Sequence, residues 1–141
     1  MYRDTSNQSG DRSEITVYLD LIKKGWIVNT PSSRDAVYDL VVDRGSHFET
    51  VQVKTMSGNS ITKVVDRSGE RVSHNGKTRN SLDYAEHGIH WLAGVSKAGE
   101  IFYYKLNTYK DIPSKSFSVN KWHQDGFPVN SVAKRHTREA K

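Results

Sequence analysis

Two apolar runs that carry the wrong residues most constrain what this chain can fold into. Val37-Tyr38-Asp39-Leu40-Val41-Val42-Asp43 and Phe48-Glu49-Thr50-Val51-Gln52-Val53-Lys54 read as adjacent strands joined by the turn Arg44-Gly45-Ser46-His47. Asp39, Gln52 and Lys54 sit inside these runs. Burying such groups is costly unless they are paired or bind a metal. Side chains alternate across a strand, so Gln52 and Lys54 share one face while Val51 and Val53 share the other. Asp39, Val41 and Asp43 likewise share a face, and an antiparallel pairing can bring Asp39 opposite the Gln52–Lys54 end. Asp43 lies four residues nearer the turn, roughly 13 Å along the strand. Glu49 has the opposite parity. The geometry therefore selects Asp39 as the acid of this cluster.

The rest of the chain reads as elements around that hairpin. Asp11-Arg12-Ser13-Glu14 looks like a helix start, with Asp11 or Ser13 as the N-cap. Ile15, Tyr18, Leu19 and Ile22 follow at amphipathic spacing, and Lys23-Lys24-Gly25 closes the helix. Trp26-Ile27-Val28 reads as a short strand. Residues 57–80 are polar, with short strands turning at Gly69 and Gly76. Residues 89–95 and 100–105 form a second hairpin that turns at Lys97-Ala98-Gly99. Tyr103 and Tyr104 point to opposite faces, which predicts that one is exposed. From about Pro113 the chain is basic, poorly periodic and loop-like. The order predicts a mixed α/β domain around a central sheet, with a core over 1–112 and a basic extension over 113–141.

Charge separates along the chain. Residues 1–53 hold 6 Lys+Arg and 8 Asp+Glu, a net of −2, and the remainder carries +7, for a total of +5. An acidic site beside a basic surface suits a metal-dependent enzyme acting on a polyanion. There are no cysteines, so neither disulfides nor thiolate metal sites are possible. No run approaches a membrane span, and the first residues are polar rather than a signal peptide. A reducing, cytoplasmic setting is the expectation.

The set Ser13-Glu14, Gly25-Trp26, Pro31, Tyr38-Asp39-Leu40-Val41-Val42 and Val51-Gln52-Val53-Lys54-Thr55 resembles the PD-(D/E)XK nuclease superfamily. The match covers residues 10–55 and extends loosely through 89–105. The Gln-x-Lys variant and the Tyr-Asp-Leu-Val-Val-Asp run look like the small intron-encoded homing endonucleases of this fold. The family's Pro is absent, since Tyr38 precedes Asp39. Gln52 in place of an acid is the larger departure.

The resemblance implies a restriction-endonuclease-like core, a mixed central β-sheet flanked by helices. It also implies roles. Asp39 would be the central Mg²⁺ ligand, with Mn²⁺ able to substitute, and Gln52 would present its amide oxygen to the same ion. The backbone carbonyl of Val53 could add a third oxygen. Lys54 would position the attacking water and offset charge at the phosphate. Glu14 would reach in from the helix as a metal-facing or supporting carboxylate. A Gln in the acid's place removes one negative charge, which weakens metal affinity without abolishing the site.

Competing readings stand beside these. Asp39 and Lys54 could form an ion pair that only holds the sheet, and Glu14 could be the third residue of a capping box. His87-x-x-His90 lacks a third zinc ligand, and His74-Asn75 lacks the flanking pattern of an HNH nuclease. Lys63, Arg67, Arg71, Lys77 and Arg79 form the candidate DNA surface, against a reading as a solvated turn region. The expected function is a Mg²⁺-dependent, site-specific endonuclease for double-stranded DNA, a homing endonuclease of a phage or bacterial mobile intron. With no separate recognition domain, it would work as a homo-oligomer, a dimer or tetramer. A Holliday-junction resolvase of the same fold is the nearest rival, and a phage restriction or repair nuclease the next. A non-catalytic DNA-binding module is the alternative of another class.

Overall fold

The computed structural model describes residues 6–33, 35–62, 73–74, 77–78, 88–106, 116–120 and 124–132. Helix α1 (Ser6–Lys23) precedes β1 (Ile27–Asn29), β2 (Leu40–Asp43) and β3 (Phe48–Thr55). Then come β4 (Ser60–Thr62), the two-residue strands β5 (Ser73–His74) and β6 (Lys77–Thr78), β7 (Trp91–Val95), β8 (Ile101–Lys105) and β9 (Ser116–Ser118). Five of them make one sheet in the order β1-β2-β3-β7-β8. All its neighbours are antiparallel except β3 and β7, which run parallel. The central strand is β3, so the polar residues it carries are fixed from both sides. No helix among the described residues is long and apolar enough to cross a membrane.

Alternation along β3 sorts its residues between two cores. Val51 and Val53 join Leu40, Val42, Trp91, Tyr103 and Phe127 in a core that α1 covers with Val17 and Leu21. On the other face Leu92, Tyr104, Ile61 and Phe117 form a second core under the β4–β9 pair. Gly94 lets Ile61 lie directly on the β7 backbone, where an added Cβ would collide with that side chain. Both faces of β8 are thus covered. Tyr103 and Tyr104 are accordingly both buried, 3% and 0% exposed, against the expectation that one would face solvent.

Helix α1 differs from expectation in start and in facing. It begins at Ser6, so Asp11 and Ser13 are interior residues and Glu14 is not part of a capping box. The buried stripe is Ser13, Val17 and Leu21, while Ile15, Leu19 and Ile22 are 64%, 49% and 43% exposed. Tertiary contact explains both. Ser13 Oγ bonds Thr55 Oγ1 at 2.7 Å, and Thr55 also reaches the Ser9 carbonyl. These contacts hold the first turns against the sheet, where local propensity, weakened by Gly10, would not sustain them.

The stretch after Pro113, expected to be loop-like, contributes β9 and a buried anchor. Phe127 packs among Trp26, Trp91 and Tyr103, with ring centroids 6.2, 4.6 and 5.6 Å away. Asn130 N–H donates to the Lys24 carbonyl at 2.8 Å, tying the segment to the end of α1.

Glu49 anchors the hairpin end of β3. Its carboxylate accepts from Arg44 Nη1 at 2.6 Å and Trp91 Nε1 at 2.8 Å, and lies 2.9 Å from His47 Nε2. Burial alone would raise its pKa. The bonds from His47 and Trp91 and the Arg44 guanidinium outweigh that and hold it at about 2, against a usual 4.5. A depressed folded-state pKa contributes stability that is full above the unfolded value and is lost as pH falls. We therefore expect Glu49→Gln to cost roughly 2–3 kcal/mol at neutral pH. It should also flatten the loss of stability between pH 4.5 and 2. Urea unfolding across pH checks this, and identical acid limbs in both proteins would contradict it.

Candidate active site

Strand β2 starts at Leu40, so Asp39 lies just before it, at the point where β3 runs on without a β2 partner. The Asp39 N–H donates to the Val51 carbonyl at 2.9 Å. Its Oδ2 accepts the Val53 N–H at 2.8 Å. The carboxylate thus fills the ladder position a backbone carbonyl would take had β2 extended that far. It lies in the plane of the sheet, not on one face as strict alternation predicts, because regular strand has not yet begun there. The N–H and C=O of a strand residue point to the same side. The Val53 carbonyl therefore turns toward this gap as well.

Gln52 and Lys54 approach from one face of β3, both half-buried. The Leu40–Val51 register places residue 39 beside Gln52. Gln52 Oε1 is buried and has no hydrogen-bond partner among the described residues. A buried orphan acceptor costs about 1–3 kcal/mol. The other buried side-chain oxygens described are satisfied, so this one stands out as an acceptor that could serve a ligand.

Glu14 comes from the opposite face. The Ser13–Thr55 bond pins α1 over the end of β3, and Glu14 follows immediately on the helix. Burial raises its pKa, and the charges of Asp39 and then Asp11 raise it further. Asp39 is therefore close enough to repel it. Two carboxylates that repel each other, an orphan amide oxygen and a strand carbonyl make an all-oxygen donor set. That set fits a hard divalent cation of the Mg²⁺ type, whose charge would reverse the cost of ionising Glu14. Among the described residues no group of three or more His, Cys, Asp or Glu side chains could hold a metal. The Gln52 amide is what completes the set here.

Other candidates fall elsewhere. Asp43 Oδ1 accepts from Gly45 N–H at 2.8 Å and shapes the turn. His90 Nδ1 accepts the Thr50 N–H at 3.0 Å and joins β3 to the segment before β7. Lys77 lies in β6, whose backbone pairs with β5. Lys63, Arg67, Arg71 and Arg79 lie outside the described residues, as does His87.

If the Gln52 oxygen is held for a ligand, the metal-free protein is more stable without it. Gln52→Met, close in shape and apolar, should raise stability by on the order of 1 kcal/mol in thermal unfolding without divalent ions. A loss of that size would show that the amide is satisfied within the fold.

Comparison with known proteins places the chain's family and fold. A family model described as PD-(D/E)XK endonuclease matches residues 4–117. The fold is similar to that of I-Ssp6803I, a bacterial homing endonuclease, with a TM-score of 0.64 at 12% identity over 98% of this chain and 99% of that one. It is also similar to Hjc of Archaeoglobus fulgidus, a Holliday junction resolvase, with a TM-score of 0.51 at 16% identity over 89% and 95%. No curated protein matches the sequence. With most of its length matched and the Asp39, Gln52 and Lys54 positions inside the match, the chain belongs to the PD-(D/E)XK endonuclease family.

Proposed function

We propose that this chain is a Mg²⁺-dependent, site-specific DNA endonuclease of the homing type, and that Asp39, Gln52, Lys54 and Glu14 carry the reaction. The observation that supports this most is the orphan Gln52 oxygen beside an in-plane Asp39 carboxylate. A sheet held only by an Asp39–Lys54 ion pair would have no use for it.

Asp39, Gln52 Oε1 and the Val53 carbonyl would hold the cation, with Glu14 facing it from the helix. When bound, the ion supplies Lewis-acid charge neutralisation at the scissile phosphate. The Asp39 carboxylate is oriented by its bond to Val53 N–H, so it need not reorganise when DNA arrives. Lys54 orients the attacking water and balances negative charge on the phosphate. Hydrolysis then breaks the P–O3′ bond.

The homing reading is favoured over junction resolution by the extent of the likeness. Similarity to the homing endonuclease runs through nearly all of both chains. The structural overlap with the resolvase is lower and leaves more of this chain unmatched, although the sequence identity, 16% against 12%, is slightly higher. The substrate would be double-stranded DNA, in a bacterial or phage-infected cell. The exposed stripe Ile15, Leu19 and Ile22 offers a helical surface for the homo-oligomer that a long recognition site requires.

One experiment tests the whole reading: cleavage in Mg²⁺ of a four-way junction and of a pool of long duplex DNA, by wild type and Asp39→Ala. We expect defined cuts in the duplex by wild type. Asp39→Ala should make none while binding the duplex at least as tightly. Cuts confined to the junction would make the protein a resolvase. Normal cutting by Asp39→Ala would remove Asp39 from the site. No metal-dependent cutting of either substrate would leave a DNA-binding module.

A further inference from the structure

A groove of about 590 Å³ opens between α1 and the ends of β3 and β7. Ser9, Arg12, Ser13 and Thr16 line it from one face of α1, at the i, i+3, i+4, i+7 spacing of a single stripe. Its other wall is Thr55 at the end of β3, with Ser96, Lys97 and Gly99 after β7. Because β3 and β7 are parallel, with Thr55 beside Val95, both carboxyl ends open on the same edge of the sheet. Among the described residues, Arg12 and Lys97 are the charged groups lining the groove, beside the apolar Met56 and Val95, and no carboxylate lines it. The Ser13, Thr16 and Thr55 hydroxyls are bonded within the fold, so the two cations are what suits a phosphate.

The groove adjoins the candidate active site. Thr55 in its wall follows Lys54, and Ser13 precedes Glu14. Residue 39 lies beside Gln52, so the end of β7 is about two strand spacings across and three residues further along, roughly 14 Å in all. That is the rise of about four nucleotides along one DNA strand at ~3.4 Å each. We propose that this groove is a second phosphate subsite, in which Arg12 and Lys97 grip the backbone of the cleaved strand a few nucleotides from the scissile bond. The proposal rests on the nuclease reading and adds to it a defined path for the substrate. The strand would enter at Asp39, cross the end of β3 and leave between α1 and the turn after β7. Arg12 and Lys97 would fix register and orientation without reading sequence.

The test is the salt dependence of binding to a labelled random-sequence duplex without divalent metal. Removing one phosphate-binding cation lowers the slope of log affinity against log salt by about 0.9, a weakening of roughly eightfold at 0.1 M salt. Arg12→Gln and Lys97→Gln should each show that change, and Arg12→Lys should restore the slope. Lys23→Gln, which removes an exposed charge at the far end of α1, should leave the slope alone. Wild-type slopes in Arg12→Gln and Lys97→Gln, or an equal change in Lys23→Gln, would overturn the subsite while leaving the nuclease reading in place. A wild-type protein that neither binds duplex nor cuts DNA in Mg²⁺ would overturn both.

Discussion

The bond from Val53 N–H to the Asp39 carboxylate holds the site open. It lets β2 begin only at Leu40 while β3 continues to Thr55 without stranding the Val53 amide. A backbone donor left unpaired in a core costs about as much as a lost hydrogen bond. A side-chain acceptor satisfies it, so the sheet can open a gap at that point. The gap is reached from one face by Gln52 and Lys54 and from the other by Glu14. An acid that also completes the ladder is rigid, and rigidity is what positions charge for catalysis.

The surroundings hold that arrangement still. Core packing on both faces of the sheet fixes the twist and position of β3. The Glu49, Arg44 and Trp91 cluster locks its other end, where Arg44 also stacks 4.5 Å from the Trp26 ring centroid. Two acids at opposite ends of β3 thus have opposite fates. Glu49 is surrounded by donors and remains ionised, held at a pKa of about 2. Glu14 faces other acids and a partly dry environment, which disfavour its ionised form. The first is structural. The second is the acid whose ionised form the proposed cation would favour.

Much of this is legible in the residues. The hairpin, its turn, the later hairpin and the exclusion of Asp43 and Glu49 follow from alternation and spacing. Alternation does not reveal that Asp39 lies in the sheet plane, since that depends on where β2 begins. The buried face of the helix is ambiguous in sequence, because Ile15, Leu19 and Ile22 and Ser13, Val17 and Leu21 each make a regular helical stripe. Tertiary contacts decide between them: Val17 and Leu21 enter the core of the sheet, and Ser13 meets the Thr55 hydroxyl 42 residues away. The burial of both Tyr103 and Tyr104 depends on β9, a strand too short to show a period. The Arg12–Lys97 groove has no local signal, because the parallel pairing of β3 and β7 creates it.

A strand that stops short of its neighbour's end would, on this reading, form a cation site from Asp39, Gln52 and the Val53 carbonyl. A crystal structure of the protein grown with Mn²⁺, read by anomalous scattering, decides the matter. We expect a peak bonded to an Asp39 oxygen and to Gln52 Oε1, at ordinary metal–oxygen distance, with the Val53 carbonyl beside it. Density at Glu49 or elsewhere with none at this gap, under conditions where the protein cuts DNA, would contradict the assignment.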